Sequence, residues 1–554
     1  MDLTTKNQVL ASVTEDFIQT LDDTKQYTAA EIAEIEVGLL DAIHSKFDEY
    51  NTVADKGMKW KIPDTLSNAQ IAAILAKIYP ICKIACAGEN SDTDYDLLAI
   101  YQYDGPDEGI YLTSEESLRK LARQFNYNLT SKDFSEVIIA LRDRVPRTNR
   151  CTDPDLIAVN NGIFNYADKQ LYNFDPKYVF LTKSKVNYKP NATNVVIHNV
   201  IDDTDWDVES WVNDLSDDPE IVQVIWEILG AIIRPNVRWN KSAWFYSETG
   251  NNGKGTLCEL MRQLCGAGAY ASIPLSEFGK DFVLEPLTRA TAIIVDENDV
   301  GTFIDKAANV KAVITNDVIQ INRKFKTPIA YQFWGFMVQC LNEFPRIKDK
   351  SDSFYRRQLF IPFEKCFTGH ERRYIKDDYL HRPEVLEYVM KRVLNMNYYV
   401  LSEPTACKNI LDEYKSFNDP IRQFWGEVSD NLAWDLLPFG FLYELYKAWF
   451  KLNSPSGAIQ GKNTFINDLL NVVKDDPNWY GDKQTTVKVA HRMDKPEFMI
   501  ATYGLTNWMR TNYHGNDNTT LCTPNLSNTQ VFRGLQRVAS TVATDDSSVT
   551  TSEE

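Results

Sequence analysis

The stretch that most constrains this chain is Ala243 to Leu260, AWFYSETGNNGKGTLCEL. An apolar, aromatic run from Ala243 to Tyr246 leads into a turn rich in Gly and Asn. Lys254 follows, and Leu257, Cys258, Glu259 and Leu260 suit a helix. Strand, tight turn and helix N-terminus together make a phosphate cradle, because backbone N–H groups point at the anion and the helix dipole favours it. Gly250 and Gly253 let the backbone turn closely, and Lys254 is placed to reach the outer phosphates of a nucleotide. Against the general pattern G-x-x-x-x-G-K-[ST], Glu248 stands at the first glycine. Gly255 stands where a hydroxyl is usual, and Thr256 comes one residue later. The plain alternative is an ordinary Gly/Asn turn ahead of a helix.

Downstream residues decide between the two. Ala292 to Val295 is a short apolar run that ends in Asp296 and Glu297, about 42 residues after Lys254. In a parallel sheet, ligands sit beyond the carboxyl ends of the strands. Asp296 is therefore assigned to a magnesium ion and Glu297 to the attacking water. A second apolar run, Phe336 to Leu341, ends at Asn342, whose amide suits a γ-phosphate or that water. In SDSFYRRQLFIPF (Ser351 to Phe363), Arg356 and Arg357 are adjacent, so they point in different directions. One is expected to serve a neighbouring subunit's phosphate and the other a local ion pair. Between these runs, Val318 to Asn322 and Lys326 to Tyr331 read as a hairpin. Its tip carries Arg323, Lys324, Phe325 and Lys326, a basic and aromatic set that suits nucleic-acid backbone and base; a solvated hairpin tip is the alternative.

Composition bounds the rest. The 554 residues suggest three or four domains, and 44% apolar residues with 12% aromatics mark a folded chain. A net charge of -18 argues against indiscriminate coating of nucleic acid. That charge is uneven: residues 1–150 hold 16 Lys plus Arg against 25 Asp plus Glu, whereas residues 241–370 hold 16 against 14. The nine cysteines are scattered, and Cys82 with Cys86 has no second pair nearby, so free buried thiols are expected rather than zinc. No run approaches a membrane span. A soluble, cytoplasmic chain without a membrane partner is expected.

Along the chain, residues 1–90 read as an acidic helical region, with helices over Ala29 to Phe47 and from Asn68 toward Cys86, the latter broken near Pro80. Residues 91–200 read as α+β, with hairpins at Leu97 to Leu112 and Leu156 to Tyr166 and helices at Leu118 to Phe125 and Phe134 to Leu141. Asp92, Asp94 and Asp96 alternate as metal carboxylates sometimes do, but a solvated turn is the expected reading. Residues 201–370 hold the core with its preceding helices, 371–455 are helical, and 456–540 suit a winged-helix-like domain. That last segment is given a helix at Phe465 to Val473 and strands near Thr486 to Ala490 and Phe498 to Tyr503. The tail, 541–554, is polar and acidic and is expected to be disordered.

In order and content, residues from about 240 to 365 resemble the superfamily 3 helicase core, in the branch of phage and plasmid primase-helicases and poxvirus replication ATPases. The matching positions are Gly250-Asn251-Asn252-Gly253-Lys254-Gly255-Thr256, then Asp296 and Glu297, then Asn342, then Arg356 and Arg357. Lys311 through Lys326 resembles the family's basic pore hairpin. Weaker likeness runs upstream through YQYDGPDEGIY, NNGIFNY and NYKPNA, and downstream through DEYKSFNDPI and FLYELYKAWF, about 90–480 in all. The resemblance implies a P-loop AAA+-type α/β core and a homo-hexameric ring on single-stranded or forked DNA. ATP is implied on residues 250–256, with Mg2+ on Thr256 and Asp296 and DNA on Lys311, Arg323, Lys324, Phe325 and Lys326. A primase or polymerase is the implied replication partner. The cysteine set of a fused primase is missing, so priming is not expected. An origin-binding initiator, a nucleotide-stabilised DNA scaffold and a metabolic P-loop kinase stay open as alternatives.

Overall fold

Short runs of consecutive apolar residues become the central strands, because a parallel strand covered on both faces has no polar side to show. In the computed structural model these are β1 (Ser242–Tyr246), β2 (Tyr270–Ala271), β3 (Ala292–Val295), β4 (Phe336–Leu341) and β5 (Gln358–Pro362). Every residue of β3, β4 and β5 is buried. The five pair in the order β2-β3-β4-β1-β5, all parallel. This is a mixed α/β fold consistent with an AAA+ core of the superfamily 3 helicase kind. The structure describes residues 5–88, 91–324, 326–369, 371–453, 459–474 and 476–538.

Two helices flank the sheet. Helix α1 (Pro219–Ile233) starts where Asp218 accepts from the Glu220 amide and Pro219 supplies a preset first turn. Its residues from Val224 to Ile233 are all buried, and it packs in one core with β1, β4 and helix α2 (Lys254–Cys265).

The chain divides into two compact units, 1–411 and 412–554. In the first, helices Lys6–Gln19, Ala29–Val53, Asn68–Ile78, Glu115–Phe125 and Ser131–Arg144 share a core of their own. Reciprocal caps such as Thr28 with Glu31 and Thr130 with Asp133 start them. The helix from Asn68 stops before Pro80, and Ile81–Ile84 is a strand rather than more helix. It pairs antiparallel with Leu97–Tyr101 and parallel with Arg147–Thr148. The two hairpins read from sequence form; the second turns on Asn160 and Asn161, since Val159 pairs with Gly162.

Asp92 and Asp94 are exposed at a short turn, but Asp96 departs from the expected solvated reading. It is 2% exposed, and Arg147 donates to it at 2.7 and 3.0 Å. A carboxylate can be buried there because a guanidinium pairs with it in two bonds.

In the second unit, helices Pro420–Val428, Phe439–Asn453 and Lys462–Val473 share one core with the strands Leu436–Pro438, Gly534–Arg537 and Trp479–Gly481. Val487–Lys488 is a strand, but the apolar run at Phe498 to Tyr503 is helical, at Met499–Thr502. The buried Glu497 carboxylate accepts from the amides of Met499, Ala433 and Trp434. It thereby caps a helical turn that side-chain pattern alone reads as a strand. The tail 541–554 lies outside the described residues. Among those described, no helix is long and apolar enough to cross a membrane.

Candidate functional site

Strand register builds the site. Tyr246 lies beside Leu341 in the parallel pair of β1 and β4, so Ser247 and Asn342 leave the sheet together. Lys254, the first residue of α2, places its Nζ 2.9 Å from Asn342 Oδ1 and 3.4 Å from the Ser247 carbonyl oxygen. An ammonium only donates, so Asn342 turns its amide oxygen inward and its NH2 group faces away. Lys254 is 5% exposed, and burial pulls its pKa below the ordinary 10.5. Beneath it the Cys258 and Cys340 sulfurs lie 3.4 Å apart, and burial pushes the Cys340 thiol well above its ordinary range. Among the described residues no carboxylate pairs with Lys254. A buried cation without an anion costs free energy until one arrives.

The loop that would receive that anion is tightly set. Asn251 (φ 53°) and Gly253 (φ 86°) are both left-handed. A Cβ on Gly253 would lie 2.7 Å from Leu215 Cδ2, so only glycine fits. Buried Asn252 donates to the Thr249 carbonyl at 2.6 Å, and the Phe367 amide donates to the Asn251 carbonyl at 2.7 Å. Gly253 is the N-cap of α2 and has no side chain to cap it. Gly250 and Gly255 meet no crowding, and Thr256 is half-buried on the first helical turn.

Asp296 and Glu297 leave β3 at the same end of the sheet, both exposed. Asp296 is not alone: Arg262, two turns along α2 from Lys254, reaches its Oδ1 at 3.0 Å. Burial raises the Asp296 pKa, but the hydrogen bond and charge of Arg262 outweigh it and hold the carboxyl below the usual range. The next residue, Asn298, is buried and staples the sheet. Its Nδ2 donates to Gln339 Oε1 (3.0 Å) and the Cys340 carbonyl (3.1 Å), and its Oδ1 accepts from the Leu275 amide (3.0 Å). Gln339, fully buried on β4, passes the link to the Ile273 carbonyl at 3.1 Å.

The two arginines separate as adjacent residues must. Arg357 is half-buried and donates to the Ser353 carbonyl and hydroxyl; burial and the neighbouring Arg356 lower its pKa. Arg356 is exposed and makes no ion pair among the described residues. Both precede β5. Because Gln358 pairs with Ser242, they lie at the amino end of the sheet, opposite Lys254.

The hairpin is Val318–Arg323 with Lys326–Gln332. Ile321 and Ile329 bury its base, and the Gln332 amide donates to the Cys86 carbonyl at 3.0 Å. Arg323 folds back on the Thr327 carbonyl (2.9 and 3.1 Å), and Lys324 is exposed at the tip. Phe325 and the Lys326 side chain lie outside the described residues. Lys311 is not on the hairpin but on helix Ala307–Ile314, paired with Asp349 at 2.6 Å.

Arg262, Asn298 and Gln339 escaped the sequence reading. Two polar residues inside or just after apolar runs are a weak signal, and Arg262 is found only once α2 is laid against β3.

Three segments match family models. Residues 43–217 match one described as D5 N terminal like, residues 245–357 a family of unknown function (DUF5906), and residues 416–503 one described as poxvirus D5 protein-like. No curated protein matches. Among solved structures, an apo A-form structure of the NrS-1 C-terminal region aligns at 12% identity and a TM-score of 0.42, covering 86% of this chain and 100% of that one. A second apo structure of that region aligns at 14% identity and 0.43, covering 77% and 97%. JCV helicase aligns at 15% and 0.25, over 38% of this chain and 58% of that one. The D5-type matches lie on both sides of a core that carries the motif residues in order. These D5-type matches accord with the resemblance of the motif residues to the superfamily 3 helicases, in the branch of phage and poxvirus replication ATPases.

Proposed function

We propose that this chain is an ATP-dependent replicative DNA helicase of a phage or mobile element, working as a homo-hexameric ring on single-stranded or forked DNA. The observation that carries the reading is Lys254: a buried ammonium with no carboxylate partner among the described residues, at the carboxyl end of a parallel sheet and the start of a helix. That is where a triphosphate is stabilised.

In this reading the amides of 250–256 and Lys254 hold the phosphates of ATP. Arriving phosphate oxygens supply the negative charge that Lys254 lacks. Asn342 gives its oxygen to Lys254 and keeps its NH2 for the outer phosphate or the attacking water, and Glu297 polarises that water. Asp296 and Thr256 are hard oxygen donors of the kind magnesium takes, with the phosphates completing the set. When bound, the ion would neutralise charge on the transferred phosphoryl group. Arg262 keeps Asp296 ionised, as a metal ligand must be.

Arg357 is committed to Ser353, which leaves Arg356 as the arginine finger for the next subunit's ATP. Lys324 and Arg323 at the hairpin tip, with Phe325 and Lys326, would face DNA in the channel and contact its backbone, with little selectivity for sequence. Lys311 contributes less directly, since Asp349 neutralises it. A near-neutral core within an acidic chain permits a basic lumen. Residues 456–540 are read as a winged-helix-like element.

The test is ATP hydrolysis with and without single-stranded DNA, for wild type and Lys254→Ala. DNA-stimulated turnover that Lys254→Ala abolishes is expected. Turnover retained by Lys254→Ala would overturn the assignment, and no turnover by the wild type would favour a nucleotide-stabilised scaffold.

A further inference from the structure

Beside the loop lies a cavity of about 890 Å³, most of whose lining lies outside the motif residues. Its floor is Asn251, Gly253 and Thr256, so it opens directly onto the start of α2. One wall is the indole of Trp211, set 6.3 Å from that of buried Trp206. Phe367 also lines it, its ring edge 3.7 Å from where a Gly253 Cβ would be, as does the segment that follows it through helix Arg373–Asp377. That segment and the residues after it are tied to the stretch ahead of Trp211: the Tyr374 hydroxyl donates to Asp202 at 2.6 Å, and Asn199 donates to the Tyr379 hydroxyl at 3.0 Å. The volume falls within the range of small-molecule sites; because Asp205, Asp207, Asp214, Glu371 and Asp377 also line it, an anionic end fits only at the start of α2 beside Lys376, and the rest suits a flat, uncharged end against the aromatic rings.

A second cation stands at the same place. Lys376 Nζ lies 4.0 Å from the position a Cβ would take on Gly255. A serine or threonine at 255 would project into that space, so the missing side chain leaves room for the ammonium over the first turn of α2. Lys376 makes no ion pair among the described residues, and its charge is felt by Asp296. Arg372, by contrast, is turned toward Asp202 at 3.7 Å.

We propose, on the reading of 250–256 as a phosphate cradle, that this cavity takes the nucleoside end of ATP, with the base against Trp211 and Phe367, and that Lys376 of the same chain is a second phosphate-binding cation beside Lys254. Base stacking on an aromatic side chain and a charge-assisted bond to phosphate are separable contributions. They act on different parts of the ligand, which gives the test.

The experiment is calorimetric titration of the full chain with ATP and with inorganic tripolyphosphate, which has the charges but no base. Trp211→Ala should weaken ATP about tenfold and leave tripolyphosphate within twofold. Lys376→Ala should weaken both about tenfold or more, and Lys376→Arg should restore most of that. Phe367→Ala, outside the helix that carries Trp211, repeats the base test should Trp211→Ala fold poorly. An unchanged ATP-to-tripolyphosphate ratio in both aromatic variants would overturn the base subsite. Tripolyphosphate affinity unchanged in Lys376→Ala would overturn the role of Lys376. A wild type that binds neither ligand, or Lys254→Ala binding both as tightly as wild type, would instead overturn the cradle itself.

Discussion

Replacing Arg356 by Ala separates a finger that works in a neighbouring subunit from a charge that works at home. Arg356 precedes β5 at the level of Ser242, while the cradle begins past Tyr246. Four strand steps at about 3.3 Å put at least about 13 Å between them. Across that distance in water, two unit charges interact by about 0.3 kcal/mol, less than a twofold effect on rate. A finger inserted beside another subunit's phosphates is worth about a thousandfold or more in P-loop enzymes, about 4 kcal/mol. Arg356→Ala should therefore lose at least about a thousandfold in kcat while its own affinity for ATP changes less than twofold. The assay is steady-state phosphate release, followed by mixing. Lys254→Ala subunits lack a working site but keep the finger, and Arg356→Ala subunits have the reverse, so a mixture of two inactive proteins should regain turnover. A loss of less than about tenfold, or no recovery on mixing, would refute the reasoning.

Other predictions rest on separate observations. Asn298→Ala removes three buried hydrogen bonds and strands the amide of Leu275 and the oxygen of Gln339; it should cost roughly 2–4 kcal/mol in urea unfolding, and a cost under about 0.5 kcal/mol would contradict the staple. Gly253→Ala meets both a φ of 86° and Leu215, so it should cost about 1–3 kcal/mol and weaken ATP binding, whereas Gly250→Ala, with open space around it, should bind as wild type; equal effects in titration would be wrong for this loop. Burial lowers Lys169 to about 8, where it donates to the carbonyls of Leu394 and Met396. Between that value and the ordinary 10.5 the unfolded form of Lys169 binds more protons, so its own contribution to stability rises with pH across that window, against the buried thiols and tyrosines, whose raised values act the other way; the difference in urea midpoint between wild type and Lys169→Met, measured at the two ends of the window, should shift in favour of wild type at the higher pH, and no shift would contradict the assignment.

What the sequence disclosed was whatever depends on local pattern. Apolar runs of four to six residues marked β1, β3, β4 and β5, and the Gly/Asn turn ahead of Lys254 marked the loop. It did not disclose what parallel pairing brings together. Nothing in the spacing says that Ser247 and Asn342 emerge side by side, or that Arg262 reaches Asp296, because both follow from register and helix placement. Local pattern also misled where a polar contact decides the backbone. Met499–Thr502 looks like a strand until the buried Glu497 carboxylate is seen capping it, and Ile81–Ile84 looks like more helix until its strand partners are known. Asp96 reads as a turn residue because its partner, Arg147, is distant in sequence. The adjacent arginines could be told apart only by what each touches.

The most direct measurement is strand displacement on a forked DNA with ATP and magnesium, wild type beside Lys254→Ala. Unwinding by the wild type and none by Lys254→Ala is the predicted result. Unwinding by both would contradict the role given to the cradle. ATP turnover without any displacement would contradict the helicase reading and move the chain to an initiator that uses ATP without opening the duplex.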